Sequence, residues 1–317
     1  MHPVARNATT CGLGLHPRET PITTDPMNST HAATNMLHHQ LVHATAHTPT
    51  RWMGFLHGIL GSGMNWRSIA REWTEAQPEW GAVLIDLREH GRSLHMAPPH
   101  TLQRAAEDLS RLHAHLHRHS GVKMDAILGH SFGGKVALEW VRQLDGAIDH
   151  AWIIDSMTKR NPHGEGSEDV LRVMAMLQQM PEQGFSTRDA FRAHVIEQGY
   201  SLAMAQWLAT QVERTDDDHG HPRYRFALDL DAVRSLLEDY FHLDRWQVMT
   251  DPPGRVHVHL VVGGASTVFS PAELEAAHNA AKQSSGRLDV HVIAHASHWV
   301  HADAPHELVA LIATGMT

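Results

Sequence analysis

The hexapeptide Gly129-His130-Ser131-Phe132-Gly133-Gly134 sets a hydroxyl between glycines two positions before and two after it. An apolar run, 124–128, precedes it, and an amphipathic helical run, 135–144, follows. A serine in this strand–turn–helix setting has the pattern of a nucleophile elbow. Such a turn brings strand and helix backbones almost into contact, which leaves no room for a Cβ at Gly129 or Gly133. Ser131 is expected at the tip in strained backbone geometry, with its hydroxyl facing a cleft. The unpaired N–H groups of the following helix suit a developing negative charge. By itself the pentapeptide also fits an ordinary loop, so the chemistry has to be argued from partners.

A serine hydroxyl is a weak nucleophile near neutrality and needs a base, usually histidine, oriented by a carboxylate. His295-Ala296-Ser297-His298-Trp299-Val300-His301 supplies three histidines after the last apolar run. His298 is the expected base and His301 its leading rival. For the acid, the loop after the run 256–262 contains no carboxylate before Glu273. The run 151–154 instead ends directly on Asp155, at a strand edge where sites form in open α/β sheets. Elimination therefore selects Asp155, whose alternative role is a helix cap or a loop ion pair. Ser266 stands where the missing acid would be and is expected to hydrogen-bond the imidazole as an auxiliary orienter. The N–H groups of Phe132 and, in the His57-Gly58-Ile59 loop, Ile59 are the expected oxyanion donors.

Elements to carry these residues are readable on either side of them. Strands are expected at 41–44, 52–56, 82–85, 124–128, 151–154, 256–262 and 288–293. Helices are expected at 65–74, 101–119, 135–144, 271–283 and 305–313. The alternation implies an α/β fold, a mainly parallel sheet with helices on both faces. It breaks after Asp155: 157–250 offers helices at 170–179, 188–197, 202–213 and 230–241 and no convincing strand. The domain reading is therefore a core of 36–156 and 251–317, with a helical cap at 157–250 placed to cover the site. Residues 1–35 lack the composition of a secretory signal and read as a disordered tail, with Met27 or Met36 as an alternative start.

His57-Gly58 with Gly61-Ser62, the segment 86–93, the elbow 129–134 and His298-Trp299-Val300-His301 together resemble the α/β-hydrolase superfamily. More narrowly the chain resembles a small esterase-like subgroup with an HGxxGS loop, a GHSxGGK elbow and a late GHWxH segment. The resemblance runs from about residue 40 to the C-terminus and is thinnest across the cap. It implies an acid after the strand that follows the nucleophile helix, and a serine near the usual acid position, which matches Asp155 and Ser266. Ser297 departs from the pattern, since the subgroup has glycine before the late histidine.

Composition narrows the alternatives. With 42% hydrophobic and 19% charged residues among 317, the chain is globular, and no apolar run is long enough to span a membrane. A net charge of −9 argues against a nucleic-acid partner. The single cysteine, Cys11, precludes an internal disulfide and suits a cytoplasmic protein. Neither a phosphate-cradling loop nor a dinucleotide fingerprint occurs, so no cofactor and no metal are implied. The 30 histidines read mainly as solvated surface, and His113, His115, His117 and His119 as a source of accidental affinity for nickel or zinc. Asp86 and Arg88 read as a structural pair, and His57 and His130 as backbone-bonded. Met174, Met176, Met180, Met204, Phe191 and Trp207 read as cap packing or an apolar acyl pocket.

These observations predict a serine hydrolase cleaving small-molecule carboxylic esters with short or medium acyl chains through an acyl-enzyme. Acyl transfer or thioester hydrolysis by the same groups is the alternative, and a non-catalytic binding protein on the same fold is a further one. The oligomeric state is not specified by any of these features.

Overall fold

The computed structural model describes residues 36–164 and 167–316. The 1–35 tail reading, with its Met27 start, lies outside the described residues. In chain order the elements are β1 (His39–Val42), β2 (Arg51–Leu56), α1 (Arg67–Ala76), β3 (Trp80–Ile85), α2 (Leu102–Ser120), β4 (Met124–His130), α3 (Phe132–Gln143) and β5 (His150–Ile154). An insertion follows with α4 (Glu168–Gln178), α5 (Arg188–Glu197), α6 (Leu202–Ala209), β6 (Val212–Asp216), β7 (Pro222–Phe226), α7 (Leu230–His242) and α8 (Trp246–Thr250). The chain then returns through β8 (His257–Gly263), α9 (Pro271–Gln283), β9 (Leu288–Ile293), α10 (Val300–Asp303) and α11 (Pro305–Gly315).

Seven strands form one sheet in the order β1-β3-β2-β4-β5-β8-β9. Only β1 runs antiparallel to its neighbour, β3. Side chains alternate along a strand, and β2 shows the consequence: Trp52 and Leu56 join one core, Met53 and Phe55 the other. The first core packs under α2, α3 and α9, the second under α1 and α11. In α2 the predicted stripe Leu102, Ala105, Ala106, Leu109, Leu112 and Leu116 is buried throughout. Thr101 Oγ1 accepts the Arg104 N–H to start this helix, and Gly121 at φ 70° ends it.

Two expectations need correction. Helix α3 begins at Phe132 and not at residue 135, because Gly133 and Gly134 are helical despite their poor intrinsic propensity. The insertion also contains strands: the expected helix 202–213 stops at Ala209, and Val212–Asp216 pairs antiparallel with Pro222–Phe226. Local polar geometry rather than apolar alternation builds this hairpin. Asp217 Oδ1 accepts the N–H groups of His219 and His221, while Gly220 turns the chain at φ 77°. Among the described residues no helix is long and apolar enough to cross a membrane.

Candidate active site

The C-terminal ends of β4, β5 and β8 and the loop after β9 converge, as open parallel sheets favour. Ser131 stands between the last residue of β4 and the first of α3, at φ 51° and ψ −118°. Such positive φ for a non-glycine costs on the order of 1–3 kcal/mol and persists only where the surroundings impose it. Here the Ser131 N–H donates to Ile154 O at 2.9 Å, and its carbonyl accepts from Gly134 N–H at 2.9 Å and Ser156 Oγ at 2.6 Å. The close approach is measurable at the glycines: a Cβ on Gly129 would lie 2.2 Å from Gly133 O, and one on Gly133 would lie 2.5 Å from His57 O.

Asp155 directly follows β5, is completely buried and also has positive φ, 41°. Its N–H donates to Val261 O at 2.7 Å, locking the turn to β8. Its carboxylate is fully engaged. Oδ1 accepts the Gly263 N–H at 3.0 Å, while Oδ2 accepts the Ser266 hydroxyl at 2.6 Å and lies 2.7 Å from His298 Nδ1. Ser266 thus contacts the carboxylate, not the imidazole as expected from sequence. Residue 297 contributes to the loop in a way a glycine side chain cannot: the Ser297 N–H and Oγ both donate to Asp303 Oδ2, at 2.8 and 2.5 Å.

His298 is a third exposed and faces the same cavity as Ser131. With Nδ1 turned to Asp155, Nε2 is its remaining nitrogen. The His298 carbonyl accepts from His130 Nε2 at 2.8 Å. Burial and the neighbouring His298 and His301 rings push the His130 pKa well below its ordinary value, so His130 adds no positive charge here. His57 is also held neutral by burial. Its Nδ1–H donates to Gly58 O at 2.7 Å and its Nε2 accepts the Leu87 N–H at 3.0 Å. Both histidines bond backbone, as expected.

The other candidates lie elsewhere. His301 is half-buried against the Trp66 and His130 rings, His295 is exposed near Glu307, and Glu273 caps α9 through Ser270. Asp86 and Arg88 do not pair. Asp86 accepts from the Gly63 and Arg92 N–H groups and lies 2.9 Å from His38 Nδ1, whereas Arg88 faces Asp108 and donates to Ala97 O and Pro99 O. Most described histidines are at least partly exposed, as expected, but His57, His90, His130 and His259 are buried.

A cavity of about 370 Å³ opens onto Ser131 and His298. Ile59 and Phe132 line it beside Ser131, and Phe132, as the first residue of α3, has an N–H with no acceptor inside its helix. The insertion supplies much of the wall, including Val173, Met204, Trp207 and Phe241. Met174, Met176 and Phe191 are core residues instead, so the methionines and aromatics divide between core packing and the cavity wall, with Met180 packed at the edge of the core.

Two groups escaped the sequence reading. Tyr240, on α7, is buried and lines the same cavity as Ser131, with its hydroxyl near Ser131, Ser156 and the Met157 backbone. In sequence it is one more residue of the α7 apolar stripe. Lys135, in the first turn of α3, is completely buried; its ammonium donates to the carbonyls of Lys159, Tyr240 and Leu243 at 2.9, 2.8 and 3.1 Å. It ties the helix behind Ser131 to the insertion.

Residues 55–311 match the model of a family described as the alpha/beta hydrolase family. The chain is similar to the sn-1-specific diacylglycerol lipase ABHD11 of Danio rerio, 25% identical over 265 residues, covering 82% of this chain and 76% of that protein. The protein of the same name from Mus musculus is 24% identical over 263 residues, 80% of this chain and 77% of its own. A solved marine microorganism esterase superposes with a TM-score of 0.71 at 20% identity, covering 87% of this chain and 98% of that one, a likeness of fold.

Proposed function

The chain belongs to the alpha/beta hydrolase family, and on that footing we propose that it is a serine hydrolase of carboxylic esters. The observation that carries the reading is the 2.7 Å contact between His298 Nδ1 and the buried Asp155 carboxylate, in a site where Ser131 and His298 share one cavity. In this reading His298 Nε2 takes the Ser131 proton as Oγ attacks the ester carbonyl, and Asp155 holds the ring and stabilises the imidazolium. The Ile59 and Phe132 N–H groups receive the oxyanion. His298 then returns the proton to the leaving alcohol, and water, activated by the same imidazole, releases the acid from the acyl-enzyme.

Segment 157–250 acts as a cap whose Met204, Trp207 and Phe241 side chains receive the acyl chain. A cavity of about 370 Å³ is small for two long chains and suits one short or medium acyl group. The activity named for the Danio rerio and Mus musculus relatives makes acylglycerols the first natural esters to test.

The test is turnover of p-nitrophenyl esters from acetate to laurate by the wild-type chain, Ser131→Ala, His298→Ala and Asp155→Asn, with labelling by a fluorophosphonate probe. Turnover and labelling that disappear in folded Ser131→Ala support the reading. Wild-type protein that neither labels nor turns over any ester sinks it. Acyl product appearing on an added alcohol or thiol in preference to water would assign acyl transfer to the same residues.

A further inference from the structure

At the end of the sheet away from Ser131, five ligand-type side chains from three adjacent strands share one face. His150 begins β5, His257 and His259 alternate along β8, and Asp289 and His291 alternate along β9. The register sets His150 beside His257, His259 beside Asp289, and His291 beside Val261 one step further on. Along β8, Gly263, the residue that holds Asp155, lies four positions beyond His259, which is about 13 Å at about 3.3 Å per residue. The cluster is therefore remote from the chemistry at Ser131.

His259, Asp289 and His291 each bring one ligand atom within 4.8 Å of the other two. His259 is only 1% exposed, and its Nδ1, 3.7 Å from Asp289 Oδ2, is buried without a hydrogen-bond partner. His291 Nε2 is likewise buried and unpartnered. Two orphaned imidazole nitrogens beside a carboxylate are costly unless something binds them. The atoms that would support a ligand set are already engaged. His259 Nε2 lies 3.3 Å from His150 Nδ1, and His257 Nε2 lies 2.8 Å from Asp289 Oδ2. Hydrogen bonds of this kind orient ligating imidazoles and carboxylates around metals. Trp152 stacks on the His259 ring at 3.9 Å and 7°, fixing its plane. Gly315, at the end of α11, lets the helix pass over both rings, since a Cβ there would lie 2.7 Å from Trp152 and 3.1 Å from His259.

We propose that His259, Asp289 and His291 bind a divalent transition-metal ion of the zinc class, with water completing the coordination and His150 and His257 as outer supports. Two imidazoles and one carboxylate form a donor set suited to such ions. The ion would clamp the edge strand β9 to β8, just ahead of the loop that carries His298.

The experiment is titration of the chelator-treated, full-length chain with Zn²⁺ against a chromophoric chelator, and with Co²⁺ followed by its visible d–d bands. Wild type should hold one tight equivalent and raise its Tm with Zn²⁺. Asp289→Asn and His291→Gln should each lose that equivalent and the Co²⁺ bands, and both residues are exposed enough to substitute without emptying the core. His150→Gln and His257→Gln should retain it with affinity lowered about 10- to 100-fold. His115→Gln/His119→Gln, a pair on the outer part of α2 that is at least partly exposed, should retain it unchanged. Equal Zn²⁺ uptake by every variant, or no tight equivalent in wild type, would overturn the proposal. Loss in His150→Gln and His257→Gln with retention in Asp289→Asn and His291→Gln would overturn it too, by moving the ion to the neighbouring histidine trio.

Discussion

The Ser266 hydroxyl donates at 2.6 Å to Asp155 Oδ2, the same carboxylate oxygen that lies 2.7 Å from His298 Nδ1. Two donors on one oxygen, with Gly263 N–H on the other, hold the carboxylate in a single orientation. Asp155→Asn should therefore lower kcat for ester hydrolysis on the order of 10⁴-fold, because an amide cannot hold the imidazole in the working tautomer. Ser266→Ala removes one of three donors and should lower kcat about tenfold, close to 1.4 kcal/mol, with KM unchanged. Steady-state kinetics on p-nitrophenyl acetate separates the two. Equal losses would mean that Ser266 does more than brace the acid.

Tyr240→Phe tests the contact missing from the sequence reading. The hydroxyl lies near Ser131, Ser156 and the Met157 backbone, so its removal should cost about 0.5–1.5 kcal/mol, a few-fold to tenfold in kcat. A loss confined to thermal stability, with kcat intact, would make Tyr240 a structural tie alone.

Gly129→Ala should fail for steric reasons. Its Cβ would lie 2.2 Å from a backbone oxygen of the helix behind Ser131, and neither backbone can yield without moving the turn. The expected cost is about 3 kcal/mol or more in urea unfolding, with loss of ester turnover. A variant with wild-type stability would show that the strand–helix approach is looser than described.

Lys135 should leave a signature in stability against pH. Burial pushes its pKa from the ordinary 10.5 down to about 7. Below pH 7 the folded and unfolded chains both hold the proton, and the full cost of burying the ammonium is present. Between about pH 7 and 10.5 the unfolded chain binds more protons than the folded one, so this group makes stability rise with pH. Urea unfolding across that window should show a flatter profile for Lys135→Met than for wild type. The variant should be less stable overall, because three carbonyls lose their donor. Parallel profiles would contradict the shift.

Met204→Phe narrows the cavity wall contributed by α6. The optimum acyl length should shorten while acetate turnover stays constant. Each methylene left outside forfeits about 0.8 kcal/mol, close to fourfold in kcat/KM. An unchanged chain-length profile would place the acyl group elsewhere.

What depends on neighbours along the chain is legible in the sequence. The glycines around Ser131, the apolar stripe of α2 and the strand–helix alternation are local patterns, and steric crowding or side-chain period makes each readable within a few residues. The partners of these groups are set by how the elements pack together. The three histidines 295, 298 and 301 are equivalent in type, and it takes a contact spanning 143 residues to bring His298 alone to Asp155. Ser266 was placed by position, but the atom it binds depends on how β8 meets β5. Tyr240 reaches Ser131 only because the insertion folds back over the sheet, and the buried His259 and Lys135 look in sequence like any solvated side chains. The β6–β7 hairpin escaped for a related reason: its strands are largely polar, and its turn is held by Asp217 and not by an apolar face. Periodicity reports which face of an element is buried, whereas a site is built from contacts between elements, and those are fixed when the sheet closes its order.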